Sequence, residues 1–431
     1  MSNEVGVNML TVIESKIRKL QQEFFSQSSL DLSLGDSIIS SNLSINWQEI
    51  DSVFFAGDNL ISLKKLLQYS PEIIDLCYID PPYNTGSSFL YHDKRKSQDS
   101  GIFGSHQAWL QFMLPRLVMA RELLKESGVI AISIDDYEFP YLKILMDRIF
   151  EEKNFIGTVV VCRSKNGKGS KKNLASSHEY LLVYGKTAKA SLRGESDEDT
   201  VYDKEDTFGM YRVDGLFRKK GEASLRNDRP AMYFPLYVNT QTGEVSIDPQ
   251  EGWKQVFPKD SKGIERRWLW GKETTKERAW QLFSSKNGVI YVKNYAGKKS
   301  GDKRKKIRTI WDDPSFYTER ATNEITKIFG EKIFDTPKPI KFMRKIIDSM
   351  ADENSVILDF FAGSATTAHA VFELNKDDSG NRKCILMESQ DDIPSQHTAY
   401  IAGYRNICDI LVARLKHLQQ LDNSYKFKIF K

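Results

Sequence analysis

The spacing of apolar residues predicts that helices and strands alternate along the first part of the chain. Residues 1–28 carry apolar side chains at helical spacing. Ile73–Ile79 (IIDLCYI) is a nearly continuous apolar run, which is typical of a strand covered on both faces. Ala108–Glu126 has the apolar stripe of a helix, and we expect Gly128 to end it. Val129–Ile134 (VIAISI) then predicts the next buried strand.

The same alternation returns near the C-terminus. Ser355–Asp359 (SVILD) and Lys383–Met387 (KCILM) predict strands, and Thr366–Asn375 predicts the helix between them. Between Thr187 and Ile310 the pattern breaks into short strand-like pieces. We therefore expect an α/β fold with one parallel sheet built from two separated halves. The predicted domains are an N-terminal helix and linker (1–50), a first half (51–186), an inserted domain (187–310) and a second half with a C-terminal helix (311–431).

Charge is distributed unevenly along the chain. The formal net charge is +4, but residues 151–310 hold 33 Lys and Arg against 21 Asp and Glu. A basic segment inside an acidic frame indicates contact with a polyanion such as a nucleic acid. A solvated, lysine-rich surface would give the same count, so both interpretations stay open.

Composition argues against several other classes of protein. Hydrophobic residues make up 40% of the chain, which is too many for wholesale disorder. We find no apolar run long enough for a membrane span, and residues 1–20 are too charged for a secretory signal. The four cysteines form no CxxC pair, so neither a zinc ribbon nor a disulfide scaffold is expected. We expect a cytoplasmic protein without a metal site.

The first chemical motif is Asp80-Pro81-Pro82-Tyr83, directly after the predicted strand Ile73–Ile79. Ligands of open α/β sheets bind at the carboxyl ends of the strands. The two prolines fix the backbone and remove two amide donors. The remaining carboxylate, carbonyls and aromatic ring suit the exocyclic amino group of a planar ring. An ordinary turn after a strand uses the same residue types and is the alternative.

The second motif is Asp359–Thr367 (DFFAGSATT), between a predicted strand and a predicted helix. Its small residues allow a ligand to approach the backbone, and the helix N-terminus attracts an anionic group. The motif lacks both the GxGxxG and the GK[ST] spacing. Glu388 ends the next strand, where nucleotide-cofactor folds place an acid that binds ribose hydroxyls. Taken alone, the motif could equally be a tight turn between a strand and a helix that binds no ligand. Taken alone, Glu388 is better explained as an exposed carboxylate at the end of a strand.

Both motifs together resemble those of the β-class amino DNA methyltransferases, and in particular the Mod subunits of type III restriction-modification systems. DPPYNTG (80–86) is similar to the catalytic motif of that family, and FFAGSATT (360–367) to its S-adenosylmethionine motif. Further similar stretches are GDNL (57–60), WLQFMLPRL (109–117), SIDDYE (133–138), SSHEYLLVY (176–184), RPAMYFPLYV (229–238), RRWLWG (266–271) and FDTPKP (334–339). Two departures are Ala365, where the family usually has Gly, and FKIF (427–430), beyond which typical Mod subunits continue.

The resemblance implies a Rossmann-like methyltransferase fold with a mixed, mostly parallel sheet and an inserted α+β target-recognition domain. It implies methyl transfer from S-adenosylmethionine to N6 of an adenine flipped out of DNA, because Asp rather than Ser opens the motif. The implied catalytic residues are Asp80, Pro81, Pro82 and Tyr83. The implied cofactor residues are Asp58, Lys338, Asp359, Phe360, Ala362, Gly363, Ser364, Thr366 and Glu388. Asp58 could instead cap a helix, and Lys338 could be an exposed lysine before a proline.

Recognition of double-stranded DNA is implied for the basic inserted segment and a basic loop before it. The expected DNA contacts are Lys165, Lys168, Lys171, Lys172, Arg226 and Arg229. The resemblance also suggests a homodimer and association with a restriction subunit. Three functions remain open: an adenine methyltransferase of a restriction-modification system, a cytosine-N4 or RNA methyltransferase, and a DNA-binding specificity module for a partner nuclease.

Overall fold

The computed structural model describes residues 15–19, 45–84, 102–169, 173–195, 202–295 and 304–431. Most of the helix predicted over residues 1–28 lies outside these ranges, although the described residues 15–19 are helical. None of the helices in the described ranges has both the length and the apolar character needed to cross a membrane.

Short strands and helices alternate through the described ranges. The strands, in chain order, are β1 (Ser52–Ala56), β2 (Ile74–Ile79), β3 (Leu124–Ile134), β4 (Phe155–Cys162), β5 (Lys168–Gly169), β6 (Ala175–Ser176), β7 (His178–Gly185), β8 (Lys204–Asp206), β9 (Gly209–Leu216), β10 (Leu236–Val238), β11 (Val245–Ser246), β12 (Lys254–Val256), β13 (Leu282–Ser284), β14 (Ile290–Tyr295), β15 (Ile310–Trp311), β16 (Val356–Asp359), β17 (Lys383–Glu388) and β18 (Phe427–Phe430). The α-helices are α1 (Asn59–Tyr69), α2 (Ile102–Leu123), α3 (Phe139–Met146), α4 (Lys272–Arg278), α5 (Thr318–Phe329), α6 (Ile340–Met350), α7 (Thr366–Asp378), α8 (Thr398–Ile401) and α9 (Ile407–Leu421).

One nine-stranded sheet organises the larger unit, in the order β15-β4-β7-β3-β2-β16-β17-β1-β18. At its centre β2 and β16 are parallel neighbours, with Ile357 opposite Leu76. Strand β7 is antiparallel to both β3 and β4, whereas the other pairs in this sheet are parallel. The prediction of a mixed, mostly parallel sheet assembled from two separated halves is confirmed.

Helices cover both faces of this sheet, so its central strands are buried on both sides. One apolar cluster joins the sheet to α1, α2 and α3, and a second joins its other face to α6, α7 and α9. This explains why IIDLCYI is apolar almost throughout: Ile74, Cys77 and Ile79 lie in the first cluster, and Leu76 and Tyr78 in the second.

The chain divides into two compact units, residues 1–195 with 305–431, and residues 196–304. The second unit contains two small antiparallel sheets, β11-β10-β12 and β13-β14-β9-β8, around its own apolar cluster, which includes Phe217, Leu236 and Trp268. This unit covers fewer residues, 196–304, than the inserted domain predicted over residues 187–310. The ends of the two connections are held together in the larger unit, where Glu195 and Lys305 exchange backbone hydrogen bonds of 2.8 and 2.9 Å.

The prediction that Gly128 ends the long helix is wrong. Helix α2 ends at Leu123, and the chain continues directly as β3. Gly128 instead lies within β3, beside an irregularity in its pairing with β2, where an added Cβ would lie 2.9 Å from the carbonyl oxygen of Ile74. Glycine is required at this position for a close approach between strands rather than for a helix cap.

Candidate active site

Asp80 and Asp359 follow neighbouring parallel strands at the same edge of the sheet. Asp80 is the residue after β2, and Asp359 is the last residue of β16. The carboxyl ends of both strands meet there because β2 and β16 are parallel. The predicted catalytic motif and the loop predicted to bind a cofactor are thereby brought together, although the inserted unit separates them in sequence.

Hydrogen bonds fix the backbone of the Asp80–Tyr83 motif from both sides. The indole Nε1 of Trp109 donates to the carbonyl oxygen of Pro82 at 2.7 Å. Asn84 has a positive φ of 55°, and its amide donates to Glu138 Oε1 at 2.6 Å. Glu138 is fully buried and also contacts His106 Nδ1 at 2.8 Å. The turn is therefore anchored to α2 and to the segment that precedes α3.

The side chain of Asp80 is held through one of its two oxygens. Tyr83 donates its hydroxyl to Asp80 Oδ1 at 2.7 Å, and Lys338 Nζ lies 3.1 Å from the same oxygen. Among the described residues, Asp80 Oδ2 receives no hydrogen bond. One oxygen thus orients the carboxylate, and the other remains able to accept a proton donor from a ligand.

Lys338 lies among the side chains around Asp80 rather than on the exposed surface. Its Nζ contacts Glu179 Oε1 at 2.7 Å and Tyr83 Oη at 2.7 Å, in addition to Asp80. Burial raises the pKa of Asp80, Lys338 opposes that rise, and Glu179 adds to it. Burial would lower the pKa of Lys338, but the two carboxylates raise it overall. The alternative of an exposed lysine before a proline is thus wrong.

The loop after β16 folds around two buried carboxylates. Asp359 Oδ1 accepts the amide of Phe361 at 3.1 Å, and its Oδ2 accepts the hydroxyl of Thr367 at 2.5 Å. Glu388 Oε2 accepts the amide of Gly363 at 2.7 Å. Burial raises the pKa of both carboxyl groups to about 7. Glu388 is only 3% exposed, so the alternative of an exposed carboxylate at the strand end is wrong.

The turn into α7 uses left-handed backbone at two positions. Gly363 has φ 49° and Ala365 has φ 60°. Left-handed backbone costs alanine roughly 1–2 kcal/mol, whereas glycine adopts it freely. Ala365 is the N-cap residue of α7 and offers no side-chain acceptor to the first amides of that helix. The helix N-terminus is therefore left without a side-chain cap and can receive an anionic group.

These features fit S-adenosylmethionine. The uncapped N-terminus of α7 suits the carboxylate of an amino-acid moiety, and Glu388 suits the hydroxyls of a ribose. Four further predicted cofactor residues lie in or beside this loop and are enclosed: Phe360 is 0% exposed, Ala362 6%, Ser364 3% and Thr366 6%.

Asp58 has the capping geometry that the sequence left as an alternative. Its Oδ1 accepts the amides of Leu60 and Ile61 at 2.8 and 3.1 Å, at the start of α1. The next residue, Asn59, reaches the loop itself, because its Nδ2 donates to the carbonyl oxygen of Phe360 at 2.7 Å. Arg116 Nε in turn donates to Asn59 Oδ1 at 2.7 Å. This chain of contacts ties α1 and α2 to the loop.

Sequence reasoning missed four residues of the site: Glu179, Asn59, Arg116 and Arg414. The first three lie in stretches that resemble the family, HEYLLVY, GDNL and WLQFMLPRL. A charged or amide side chain inside an otherwise apolar strand or helix was the available signal, since such groups are buried only with partners. Arg414 carries the same signal, because it lies within the apolar stretch ILVARL (410–415).

The predicted DNA-contacting residues do not form one described cluster. Lys165 is exposed in the larger unit, the side chain of Lys168 is not described, and Lys171 and Lys172 lie outside the described residues. Arg226 and Arg229 are exposed in the second unit. Arg226 forms an ion pair with Glu265 at 2.8 Å.

Metal ligands are not gathered anywhere in the part of the chain that the structure describes. No group of three or more His, Cys, Asp or Glu side chains has a suitable arrangement there.

Similarity to known proteins shows the family to which this chain belongs. The family of N6 and N4 methyltransferases, which is described as DNA methylase, matches residues 74–398 of this chain. The chain is 60% identical over 377 residues to the type II methyltransferase M.KpnI of Klebsiella pneumoniae, covering 88% of this chain and 90% of that protein.

Two type III Mod subunits are also similar. The EcoPI Mod subunit of Escherichia phage P1 is 33% identical, covering 85% of this chain and 62% of the subunit. The StyLTI Mod subunit of Salmonella typhimurium strain LT2 is 34% identical, covering 84% and 56%. The chain thus spans less than two thirds of either Mod subunit. The chain belongs to the N6/N4 DNA methylase family and is a DNA methyltransferase that uses S-adenosylmethionine.

Proposed function

We propose that the enzyme transfers a methyl group to N6 of an adenine flipped out of double-stranded DNA. The observation that carries this proposal is the state of Asp80, whose Oδ1 is held by Tyr83 and Lys338 while Oδ2 receives no bond among the described residues. In this proposal Oδ2 accepts one N–H of the adenine amine and the carbonyl oxygen of Pro81 accepts the other. The ring of Tyr83 stacks on the base.

The chemical difficulty of the reaction is the weak nucleophile. The lone pair of an aromatic amine is delocalised into the ring. Acceptors on both N–H groups favour a pyramidal nitrogen and aim its lone pair out of the plane of the base. S-adenosylmethionine supplies the methyl group as an activated sulfonium: the C–S bond breaks as the C–N bond forms, S-adenosylhomocysteine leaves, and the methylated nitrogen then gives up one proton. Asp80 and Pro81 contribute by orienting the amine and by stabilising the positive charge that develops on it. Flipping the base costs a few kcal/mol.

Asp80 also supports the choice of base and of activity. In the family that this chain resembles, Asp at this position accompanies adenine, and Ser accompanies cytosine. A DNA-binding module without catalysis would not need a carboxylate that is oriented by two partners, with one oxygen open to a ligand. Neither of the two other functions left open by the sequence gains support from a contact in this site.

We also propose how the enzyme meets its DNA and its partners. Unit 196–304 is the target-recognition domain, and its exposed Arg229 contacts the DNA. Lys165, which is exposed in the larger unit, also contacts the DNA. The enzyme acts in the cytoplasm as part of a restriction-modification system, as the names of its relatives support. A homodimer and a restriction subunit are proposed as partners, which light scattering of the protein alone and with such a subunit would test.

The test of this function is transfer of labelled methyl from S-adenosylmethionine to unmethylated genomic DNA, followed by digestion to nucleosides. We expect label in N6-methyladenine. Label in N4-methylcytosine would refute the assignment of the base, and label only with RNA would refute that of DNA. The absence of label with every substrate would support the binding module instead.

Asp80→Ala and Asp80→Asn provide the controls. Both are expected to abolish transfer and to keep binding of S-adenosylmethionine, measured by calorimetry, because Asp80 makes no bond to the loop after β16. Activity retained in Asp80→Ala would contradict the role of this carboxylate.

A further inference from the structure

Glu179 is a buried carboxylate whose side-chain hydrogen bonds lead to the proposed catalytic group. It is the second residue of β7, is 4% exposed, and sits opposite Val161 of β4. Its Oε1 and Oε2 accept Lys338 Nζ at 2.7 and 2.9 Å, and Oε2 lies 3.2 Å from the hydroxyl oxygen of Tyr83, whose proton is directed mainly to Asp80 at 2.7 Å. Burying a carboxylate costs free energy of folding unless it is paired, so the role of Glu179 is to be sought in the side chains that it contacts.

Lys338 distributes its three N–H donors over three side chains. Its Nζ contacts Asp80 Oδ1, Tyr83 Oη and the carboxylate of Glu179. An ammonium has no more than three donors, so this set is complete. Without Glu179, one donor would be unpaired in a group that is largely shielded from water, and Lys338 could turn away from Asp80. The orientation of Asp80 therefore depends on a residue that does not touch it.

The charge of the cluster leads to the same dependence. Asp80 and Glu179 carry two negative charges around the ammonium of Lys338, and the guanidinium of Arg163 lies 3.7 Å from Glu179, so Glu179 is balanced by cations on its own side and Asp80 keeps its charge for the amine. The amine becomes more positive as it takes the methyl. Lys338 lowers the pKa of Asp80 and so favours the charged form of that carboxylate.

We propose that Glu179 is a positioning residue for methyl transfer, which acts through Lys338 and Tyr83 to hold Asp80 with its Oδ2 presented to the amine. This inference rests on the proposed function and adds to it the second layer of residues that the reaction requires.

The groups that surround Asp80 and Glu179 determine how the pH profile responds. Arg163, after β4, lies 3.7 Å from Glu179 Oε2. Burial and the charge of Glu179 raise the pKa of Asp80. The charge of Lys338 and the hydrogen bond from Tyr83 lower it. Tyr78 and Asp359 are the other titratable neighbours, and the negative charge of Asp80 raises the pKa of each.

The two substitutions Glu179→Gln and Lys338→Met therefore shift the acid limb of the kcat profile in opposite directions. Glu179→Gln removes a charge that raises the pKa of Asp80, so the limb moves to lower pH. Lys338→Met removes a charge that lowers it, so the limb moves to higher pH. Each substitution also reduces kcat at the plateau, by about 10²-fold, because the carboxylate loses its orientation. The KM for DNA and the affinity for S-adenosylmethionine stay unchanged.

Dependence through Lys338 is tested with a double-mutant cycle. If Glu179 acts through Lys338, then Glu179→Gln has little further effect on kcat in the Lys338→Met background. If one single variant fails to fold, the double substitution, which removes the charges of Glu179 and Lys338 together, still gives the kcat and pH profile of Asp80 without either side chain. Lys338→Arg keeps the positive charge. It is therefore expected to keep the acid limb of the kcat profile near its wild-type pH and to have a higher kcat than Lys338→Met.

Glu126→Gln is the matched control, because Glu126 is an exposed carboxylate with a lysine partner, Lys189, at 3.5 Å. It should leave kcat and the pH profile unchanged. If the wild type labels N6-methyladenine and Glu179→Gln has the same kcat and profile, the positioning role is refuted while the proposed function stands. If the wild type labels no adenine, the proposed function itself fails.

Discussion

Arg414 donates to both the carbonyl oxygen and the hydroxyl of Ser364, at 3.1 and 3.2 Å, although the two residues lie on opposite sides of α7 in sequence. The same Nη1 contacts Thr366 Oγ1 at 2.9 Å. Arg414 is fully buried, and burial lowers its pKa to about 10. The long C-terminal helix α9 thus holds the loop that we assign to the cofactor.

Replacing Arg414 by methionine should weaken both the fold and the cofactor site. The substitution leaves the oxygens of Ser364 and Thr366 without their donor, and we expect a loss of about 3 kcal/mol in the free energy of unfolding. Urea unfolding and calorimetric titration with S-adenosylmethionine measure the two effects. Lys416→Met, at an exposed position of the same helix, should change neither. Equal affinities for S-adenosylmethionine in Arg414→Met and wild type would contradict this role.

The left-handed backbone of Ala365 predicts a strong dependence on side-chain shape. Ala365→Val adds a β-branched side chain at φ 60° in a fully buried site. We expect a loss of stability of about 2 kcal/mol or more and loss of cofactor binding. Ala365→Gly relieves the backbone but removes a buried methyl group, so its stability should stay within about 1 kcal/mol of wild type. Thermal unfolding separates these outcomes, and a stable Val variant would show that this turn is not strained.

Asp359 predicts a pH-dependent stability of the cofactor-free protein. Burial raises its pKa from 3.8 to about 7 in the folded state. A raised pKa means that the folded protein binds the proton more tightly, so this contribution is complete below the ordinary value and is lost as pH rises to about 7. Asp359→Asn removes the titration. Its stability relative to wild type should therefore increase between pH 4 and 7, at up to about 1.4 kcal/mol per pH unit, and stay level at higher pH. A constant difference in urea unfolding across that range would count against the shift.

Arg229 and Arg226 should respond differently in DNA binding. Arg226 is already paired with Glu265, which also accepts the hydroxyl of Tyr233 at 2.6 Å, whereas Arg229 is exposed. If Arg229 contacts a phosphate, Arg229→Ala lowers the slope of log affinity against log salt by about 1. Arg226→Ala should change that slope less, because its charge is compensated. Salt titrations of DNA binding compare them, and identical slopes in Arg229→Ala and wild type would remove Arg229 from the interface.

The sequence predicted those parts of the molecule that depend on local pattern. The run IIDLCYI predicted a strand covered on both faces because each of its faces meets a different apolar cluster. The chemistry of Asp80 and of the loop after β16 followed from motifs at strand ends. The residues that support them were missed, because a polar side chain in an apolar stretch shows that it needs a partner but not which partner it has. Glu179 and Arg414 act across long sequence separations, and only the folded sheet decides which charges share a site. Gly128 was misassigned because glycine serves helix caps and close strand contacts alike.

The adjacency of β2 and β16 also affects how the enzyme is made. A ribosome delivers β2 well before β16, since the whole inserted unit lies between them. Until β16 emerges, the strand that carries Asp80 has only β3 beside it, and the edge where Asp80 and Asp359 meet does not exist. A nascent chain is therefore unable to modify DNA. For the same reason, two polypeptides divided within the inserted unit would regain activity only by reassembling the centre of the sheet, which makes methylation a direct reporter of that reassembly.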